Sequence, residues 1–130
     1  MKIKILIVTA RYYKDFSKNL EFYTSKVLDK NVKYKFISVP GVFEIPVVIS
    51  KNIKKFDGFI ALGCVIKGET PHFDFISKAV TDAIMNLSID YKKPIGNGII
   101  TSLTKEQASV RSKKKGQEAA NAVLSVIKNF

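Results

Sequence analysis

The stretch GCVIKGETPHFDF, at positions 63–75, contains the only cysteine and the only histidine of the chain. A thiol near an imidazole is the start of a nucleophilic pair, but such a pair also needs a polar group that orients the imidazole. The sequence shows no third group of this kind. Cys64 ends an apolar run, where a cysteine is most simply a small buried side chain. His72 either packs as a hydrogen-bonded side chain or serves as a general acid or base.

The same stretch also has the features of an anion site. Thr70 is a good helix N-cap and Pro71 a good first helical residue, so a helix is expected to begin here. Free backbone N–H groups at a helix start favour an anion such as phosphate. Gly68 lets the backbone approach such a group closely. Many helices begin this way for structural reasons alone, so the pattern by itself does not establish a phosphate site.

Two other short segments place reactive or aromatic side chains after predicted strands. VPGVFEIP (39–46) has Phe43 and Glu44 at a helix start, and ARYYKDF (10–16) has Tyr12. Taken singly, Phe43 is explained by core packing and Glu44 by a favourable charge in a first helical turn. Together, the three junctions bring an aromatic ring, a carboxylate, a helix N-terminus and a histidine to one edge of a sheet.

Strands and helices alternate along the chain. Apolar and β-branched runs predict strands at residues 2–9, 32–39, 57–66 and 94–101. Apolar side chains at helical spacing predict helices at residues 15–29, 43–55, 71–87, 105–111 and 116–127. We therefore expect one domain over residues 1–130, a flavodoxin-like α/β three-layer α-β-α sandwich around a four-stranded parallel sheet. In such sheets, ligands bind at the carboxyl ends of the strands.

The net charge is +11, yet all but two of the 22 basic residues are lysines. Base reading and bidentate phosphate contacts favour arginine, so we expect lysine enrichment of the surface and no nucleic-acid partner. A nucleic-acid-binding domain remains an alternative, but it leaves the strand-end residues unexplained. No apolar run is long enough to span a membrane, and the first residues are predicted to form a strand and not a signal peptide. A single cysteine favours a reducing, cytoplasmic location.

Five segments occur in the order and spacing of one enzyme family: ARYYKDFS, VPGVFEIP, ALGCVIKGETPHFDF, PIGNGIIT, and EQASVR followed by KKG. The chain resembles lumazine synthase, the penultimate enzyme of riboflavin biosynthesis, over nearly its whole length. The resemblance implies condensation of 5-amino-6-(D-ribitylamino)uracil with 3,4-dihydroxy-2-butanone 4-phosphate to 6,7-dimethyl-8-ribityllumazine, with release of phosphate and water. It implies an imine, phosphate elimination and ring closure, without a metal or organic cofactor. Such a reaction profits mainly from holding two reactants together.

The resemblance also implies roles for single residues on the uracil side. Tyr12 matches the aromatic residue that stacks on the pyrimidine ring. Phe43 and Glu44 match the motif that receives the ribityl chain, where Glu44 accepts hydrogen bonds from its hydroxyls. Backbone groups of three consecutive residues line the pyrimidine pocket: Cys64, Val65 and Ile66.

On the phosphate side, Glu69 and Thr70 fall in the turn that binds the phosphate. His72 matches the proton-transfer residue and Arg111 matches the phosphate-binding arginine. Lys115 is expected to be a second cation near that site.

The family's site lies between adjacent subunits of a homo-oligomer, with Asn97, Arg111 and Lys115 expected from the neighbour. Asn97 stands where many members have an aromatic residue, so one wall of the pocket is expected to be more polar here. Lys67 replaces a frequent arginine. The short SKKK segment and the lack of an N-terminal extension favour a pentamer, or two stacked pentamers, over a sixty-subunit shell. A non-catalytic paralogue that binds a flavin precursor is the alternative function.

Overall fold

The computed structural model describes residues 2–28, 32–69 and 71–129. Its four strands are β1 (Ile3–Ala10), β2 (Val32–Val39), β3 (Gly58–Ile66) and β4 (Ile95–Ser102). They form one parallel sheet in the order β2-β1-β3-β4. The helices are α1 (Lys14–Val27), α2 (Ile45–Lys51), α3 (Phe73–Tyr91) and α4 (Lys105–Asn129), with a 3-10 turn at Val42–Glu44. Every strand lies within one residue of its predicted limits.

The sheet carries an apolar core on each face, which confirms the predicted α/β three-layer arrangement. One core joins Ile5, Ile7 and Leu62 to residues of α1 and α4. The other joins the opposite face of the sheet to α2 and α3. β3 is buried at every position, as its continuous apolar run predicts for a central parallel strand. The arrangement is consistent with a flavodoxin-like fold.

The last two predicted helices are in fact one helix. α4 runs without interruption from Lys105 to Asn129 and includes the SKKK segment at 112–115. Lysine is a good helix former, and Ser112 is buried with its hydroxyl donating to Ser109 C=O at 2.8 Å. Gly116 lies inside the helix, where α1 approaches so closely that a Cβ would be 2.6 Å from Leu20 O. The glycine therefore serves close helix packing and does not end a helix.

The start of α3 also differs from the prediction. The first helical hydrogen bond runs from Ile76 N–H to His72 C=O at 2.9 Å, which makes His72 the N-cap. Pro71 therefore precedes the helix, and the predicted N-cap Thr70 lies outside the described residues. Pro46 is the second residue of α2, within the first turn as predicted. None of the helices in the described ranges has the length and hydropathy needed to cross a membrane.

Candidate active site

A groove of about 160 Å³ lies at the carboxyl edge of the sheet, where β1, β2 and β3 end. Its lining comes from three chain junctions: Tyr12 and Tyr13 after β1; Gly41, Val42 and Phe43 after β2; and Cys64, Val65, Glu69, Pro71 and Ile76 at the end of β3 and beyond. We call it the strand-end groove. The structure thus brings together five of the predicted site residues: Tyr12, Phe43, Cys64, Val65 and Glu69.

Two aromatic rings of this groove are largely exposed. Tyr12 is 66% and Phe43 64% exposed, and Tyr12 meets the ring of Tyr13 edge-on at 4.8 Å between centroids. The expectation that Phe43 is explained by core packing is therefore wrong. Exposed rings beside a groove offer flat apolar faces to a planar ligand or to another protein surface.

Glu44 has a structural role as well as a position near the groove. Its Oε1 accepts a hydrogen bond from Gly41 N–H at 2.9 Å, while its own N–H donates to Gly41 C=O at 3.2 Å. This reciprocal pair holds the turn that carries Phe43. A carboxylate has further lone pairs, so Glu44 is still able to accept a hydrogen bond from a ligand hydroxyl.

Cys64 does not have the environment of a nucleophile. It is 8% exposed and lies in the core beneath α1 and α4, and burial raises the pKa of its thiol to about 12. The thiol therefore stays neutral near pH 7, and the neutral form is the unreactive one. Within the described residues no hydrogen bond joins Cys64 to His72, and they line different hollows.

His72 lies on the surface beside the strand-end groove. It lines an adjoining hollow with Lys67, Gly68 and Phe75, and its ring centroid is 6.4 Å from that of Phe75. Pro71 belongs to both hollows. The expectation of a packed histidine is wrong for this chain, because the residue is exposed. Phe75, an apolar residue in the first turn of α3, is 78% exposed as well.

The turn between β3 and α3 is anchored to its surroundings by the residues around Gly68. Lys67 N–H donates to Ser102 C=O at 3.0 Å, and Glu69 N–H donates to Ile66 C=O at 3.2 Å. Gly68 has a φ of 86°, a left-handed conformation that favours glycine. The Glu69 carboxylate lies 3.7 Å from Lys105 Nζ at the start of α4. Residues 67–69 therefore have a defined conformation next to the expected phosphate position.

A second groove lies along the outer edge of the sheet, between β4 and α4. It is lined by Ile99, Ile100, Thr101, Val110, Arg111, Lys114, Lys115 and Glu118, and we call it the edge groove. The guanidinium of Arg111 donates through Nη1 to Thr101 C=O at 2.9 Å. The edge groove thus brings Arg111 and Lys115 together. It is separate from the strand-end groove, since no described residue lines both. Lys114, a third cation of the edge groove, was not predicted from the sequence. It lies three residues after Arg111, and residues at this spacing share one face of a helix.

Four of the predicted site residues within the described ranges line neither of these two grooves: Glu44, Ile66, His72 and Asn97. Ile66 is 1% exposed and packs in the core, so only its backbone is available to a ligand. Asn97 is exposed on β4, and its Oδ1 accepts a hydrogen bond from Ile99 N–H at 3.0 Å. This contact uses only the oxygen of the Asn97 amide, and the amide nitrogen is a donor that it does not use. Residues 2–28, 32–69 and 71–129 contain no group of three His, Cys, Asp or Glu side chains placed to hold a metal ion.

Comparison with known proteins gives one family. The family model described as 6,7-dimethyl-8-ribityllumazine synthase matches residues 2–130. A protein of that name from Bartonella bacilliformis is 42% identical over 132 residues, which cover 95% of this chain and 87% of the relative. The protein of that name from Agrobacterium fabrum is 41% identical over 138 residues, covering 97% and 93%. That from Bdellovibrio bacteriovorus is 38% identical over 133 residues, covering 97% and 74%.

Proposed function

Because this chain belongs to the 6,7-dimethyl-8-ribityllumazine synthase family, we propose that a complete active site forms only where two copies of it meet. The reaction follows from the family. The chain is an enzyme of riboflavin biosynthesis, a transferase that condenses 5-amino-6-(D-ribitylamino)uracil with 3,4-dihydroxy-2-butanone 4-phosphate to 6,7-dimethyl-8-ribityllumazine, releasing phosphate and water. We further propose that residues 1–130 form a single domain.

The separation of the two grooves carries the two-copy proposal. The aromatic rings and His72 lie on the β1–β3 side of the molecule, whereas Arg111 and Lys115 lie at the β4 edge. A reaction that loses phosphate from a bound substrate needs the cations and the reacting carbon within a few ångströms of each other. One copy is proposed to supply the strand-end groove, and its neighbour the edge groove.

In this arrangement the strand-end groove takes the ribityl-uracil. The ring of Tyr12 stacks on the pyrimidine, and the backbone of Cys64, Val65 and Ile66 meets its polar edge. Phe43 and Glu44 receive the ribityl chain. The exposure of Tyr12 and Phe43 supports these roles, since neither ring has its faces buried within its own chain.

The phosphate lies between the turn at Glu69 and Thr70 of one copy and Arg111 and Lys115 of the next. The amine of the uracil attacks the ketone and loses water to form the imine, and the phosphate then leaves with its bonding electron pair. Arg111 stabilises the negative charge that develops on the departing phosphate. His72 moves protons during the imine and elimination steps. The second nitrogen then attacks the neighbouring carbonyl carbon that elimination leaves, and loss of a second water from that carbon closes the ring. Asn97 of the neighbour offers its amide to the pyrimidine.

A ring of copies satisfies this arrangement, and we propose a pentamer or two stacked pentamers. Three apolar side chains of α3 are exposed, which supports a role of this helix in contact with another copy. Phe75, Met85 and Ile89 are 78%, 58% and 64% exposed. We also propose a cytoplasmic location with no nucleic-acid or membrane partner, since the two substrates are small polar metabolites.

The experiment that tests the reaction mixes pure protein with both substrates, without added metal or cofactor. We expect absorbance in the lumazine band to rise faster than the spontaneous rate, with phosphate released alongside the product. A protein that binds the ribityl-uracil but does not exceed the spontaneous rate would instead be the non-catalytic paralogue.

A further inference from the structure

Arg11 directly follows β1 and is bonded to two other elements, and no step of the proposed reaction uses it. Its Nε donates to Ser38 Oγ at 2.9 Å, and its Nη2 lies 3.1 Å from Glu21 Oε1. Its backbone N–H donates to Val39 C=O at 2.8 Å. One residue at the end of β1 is thus bonded to the end of β2 and to the middle of α1.

These contacts fix the first junction of the strand-end groove. Tyr12 follows Arg11 directly, and the residue is 66% exposed. The position of the Tyr12 ring therefore depends on how the backbone before α1 is held. Ser17 Oγ donates to the C=O groups of Ala10 and Tyr13 on either side of it, and the Arg11 side chain adds a contact to β2 and to Glu21.

The same contacts fix the second junction. Ser38 and Val39 end β2, and the chain continues from them through Gly41 to the turn that carries Phe43. Movement of β2 relative to β1 at this end would change the distance between the Tyr12 and Phe43 rings. Arg11 bonds the two strand ends through both its side chain and its backbone, so it holds the two aromatic walls of the groove in register.

The chemistry of the contact requires a guanidinium. Arg11 and Glu21 are partly buried, with 36% and 17% of their side chains exposed, so solvent screens the ion pair less than at a fully exposed site. A guanidinium presents several donors in a rigid plane and so reaches Ser38 and Glu21 together. An ammonium group is a single point charge and loses the contact made through Nε.

We propose that Arg11, held by Glu21 and Ser38, is a positioning residue that sets the Tyr12 ring against Phe43 to receive the ribityl-uracil. The inference rests on the proposed function. It assigns Arg11 no contact with the substrate, and it distinguishes the roles of the two arginines, because Arg111 acts on the phosphate.

The test compares steady-state kinetics of Arg11→Gln, Glu21→Gln, the double variant and Arg11→Lys with the wild-type enzyme. We expect the KM for the ribityl-uracil to rise about 3- to 10-fold in Arg11→Gln and Glu21→Gln, since small misplacements of a binding group are costly. The KM for the butanone phosphate should stay unchanged. The double variant should be no worse than either single variant, because the two residues act as a pair. Arg11→Lys should recover part of the loss.

Lys18→Gln is the matched control, since it removes an exposed positive charge from α1, the helix that carries Glu21. If Arg11→Gln fails to fold, Ser38→Ala removes the Nε contact alone, and a smaller rise in the same KM is expected. A loss of stability or kcat with both KM values unchanged would show a merely structural role and overturn the inference. An equal rise in both KM values would overturn it too. An inactive wild-type protein would instead refute the proposed function.

Discussion

Arg111 is the residue whose proposed role can be separated most directly from the others. Its one hydrogen bond within the described chain leaves the rest of the guanidinium free to face an anion. We expect Arg111→Ala to raise the KM for the butanone phosphate about 10- to 100-fold, the range for a lost charge-assisted hydrogen bond, and to change the KM for the uracil little. Steady-state kinetics with each substrate varied in turn measures both. Equal effects on both substrates would contradict the phosphate role.

His72 lies at the surface, where it is able to reach a substrate bound in the adjoining groove. We expect His72→Ala to lower kcat by about 10- to 100-fold without abolishing turnover, because proton transfer adds a modest factor to a rate that proximity largely sets. Single-turnover absorbance of the variant measures this. His72→Gln is the control for size and polarity. A folded His72→Ala protein with no turnover at all would mean that the histidine does more than move protons.

Cys64 gives a prediction about pH. The folded pKa is raised from 9.0 to about 12, so the fold favours the neutral thiol. Its contribution to stability is therefore complete below pH 9 and is lost as pH rises from about 9 towards 12. We expect the stability advantage of the wild-type protein over Cys64→Ala to narrow across this range in urea unfolding. Lysines and tyrosines also titrate there, so only the difference between the two proteins is informative. A stability difference between the wild-type and Cys64→Ala proteins that widens as pH rises would contradict the raised pKa of Cys64.

Cys64→Ser should also keep most of the activity, since the thiol is not a nucleophile in this structure. Loss of turnover in a folded Cys64→Ser protein would reopen that role.

At the scale of secondary-structure elements, the contact between α1 and α4 is sensitive to side-chain size. A Cβ on Gly116 would be 2.6 Å from both Leu20 O and Thr24 Oγ1. We expect Gly116→Ala to destabilise the protein by about 1–3 kcal/mol through overpacking, despite the better helix propensity of alanine. Urea unfolding measures the change. Ser125→Ala, at an exposed position of the same helix, is the control. A stabilised Gly116→Ala protein would show that α1 moves aside at little cost.

The strands were predictable from the sequence because they depend on local patterns, and five of the ten described residues that line the strand-end groove were predicted as well. The buried run of β3 and the alternation of β2 fix the strand limits, and Tyr12, Phe43 and Cys64 follow from where strands end. The continuity of α4 was not predictable. The polar SKKK segment separates the apolar patterns of residues 105–111 and 116–127, so the sequence predicts two helices where the structure has one. The glycine lies within that helix where Leu20 and Thr24 of α1 approach it closely.

The exposed position of the His72 side chain was also not predictable from the sequence. The spacing of apolar residues makes it the head of the buried stripe of α3. In the structure the turn after Gly68 delays the helix, and the side chain lies outside the core. The orientation of the Asn97 side chain was not predictable either, because its Oδ1 accepts a hydrogen bond from Ile99 N–H, two residues further along the same strand.

At the scale of the whole molecule, the proposed two-copy site can be tested by mixing two variants that are each impaired in a different groove. Tyr12→Ala damages only the strand-end groove and Arg111→Ala only the edge groove. We expect mixed assemblies of the two variants to be more active than either variant alone, measured at substrate concentrations below KM. Some contacts in a mixed assembly join two undamaged grooves, whereas no contact does so in a pure one.

The control mixes each variant with itself by the same co-refolding procedure. Activity of the mixture equal to the mean of the two variants would place the whole site within one chain.

The proposed division of the site between the two grooves also sets how many sites an assembly contains. In that proposal each copy carries one donor surface and one acceptor surface, so contacts are head-to-tail. An open row of copies always leaves one unmatched surface at each end and has one site fewer than it has chains. A closed ring leaves none and gains its final site from closure alone, without any added chain. In that proposal, closure of the ring adds one active site as well as one contact, so the rate of product formation per chain reports whether the ring is closed.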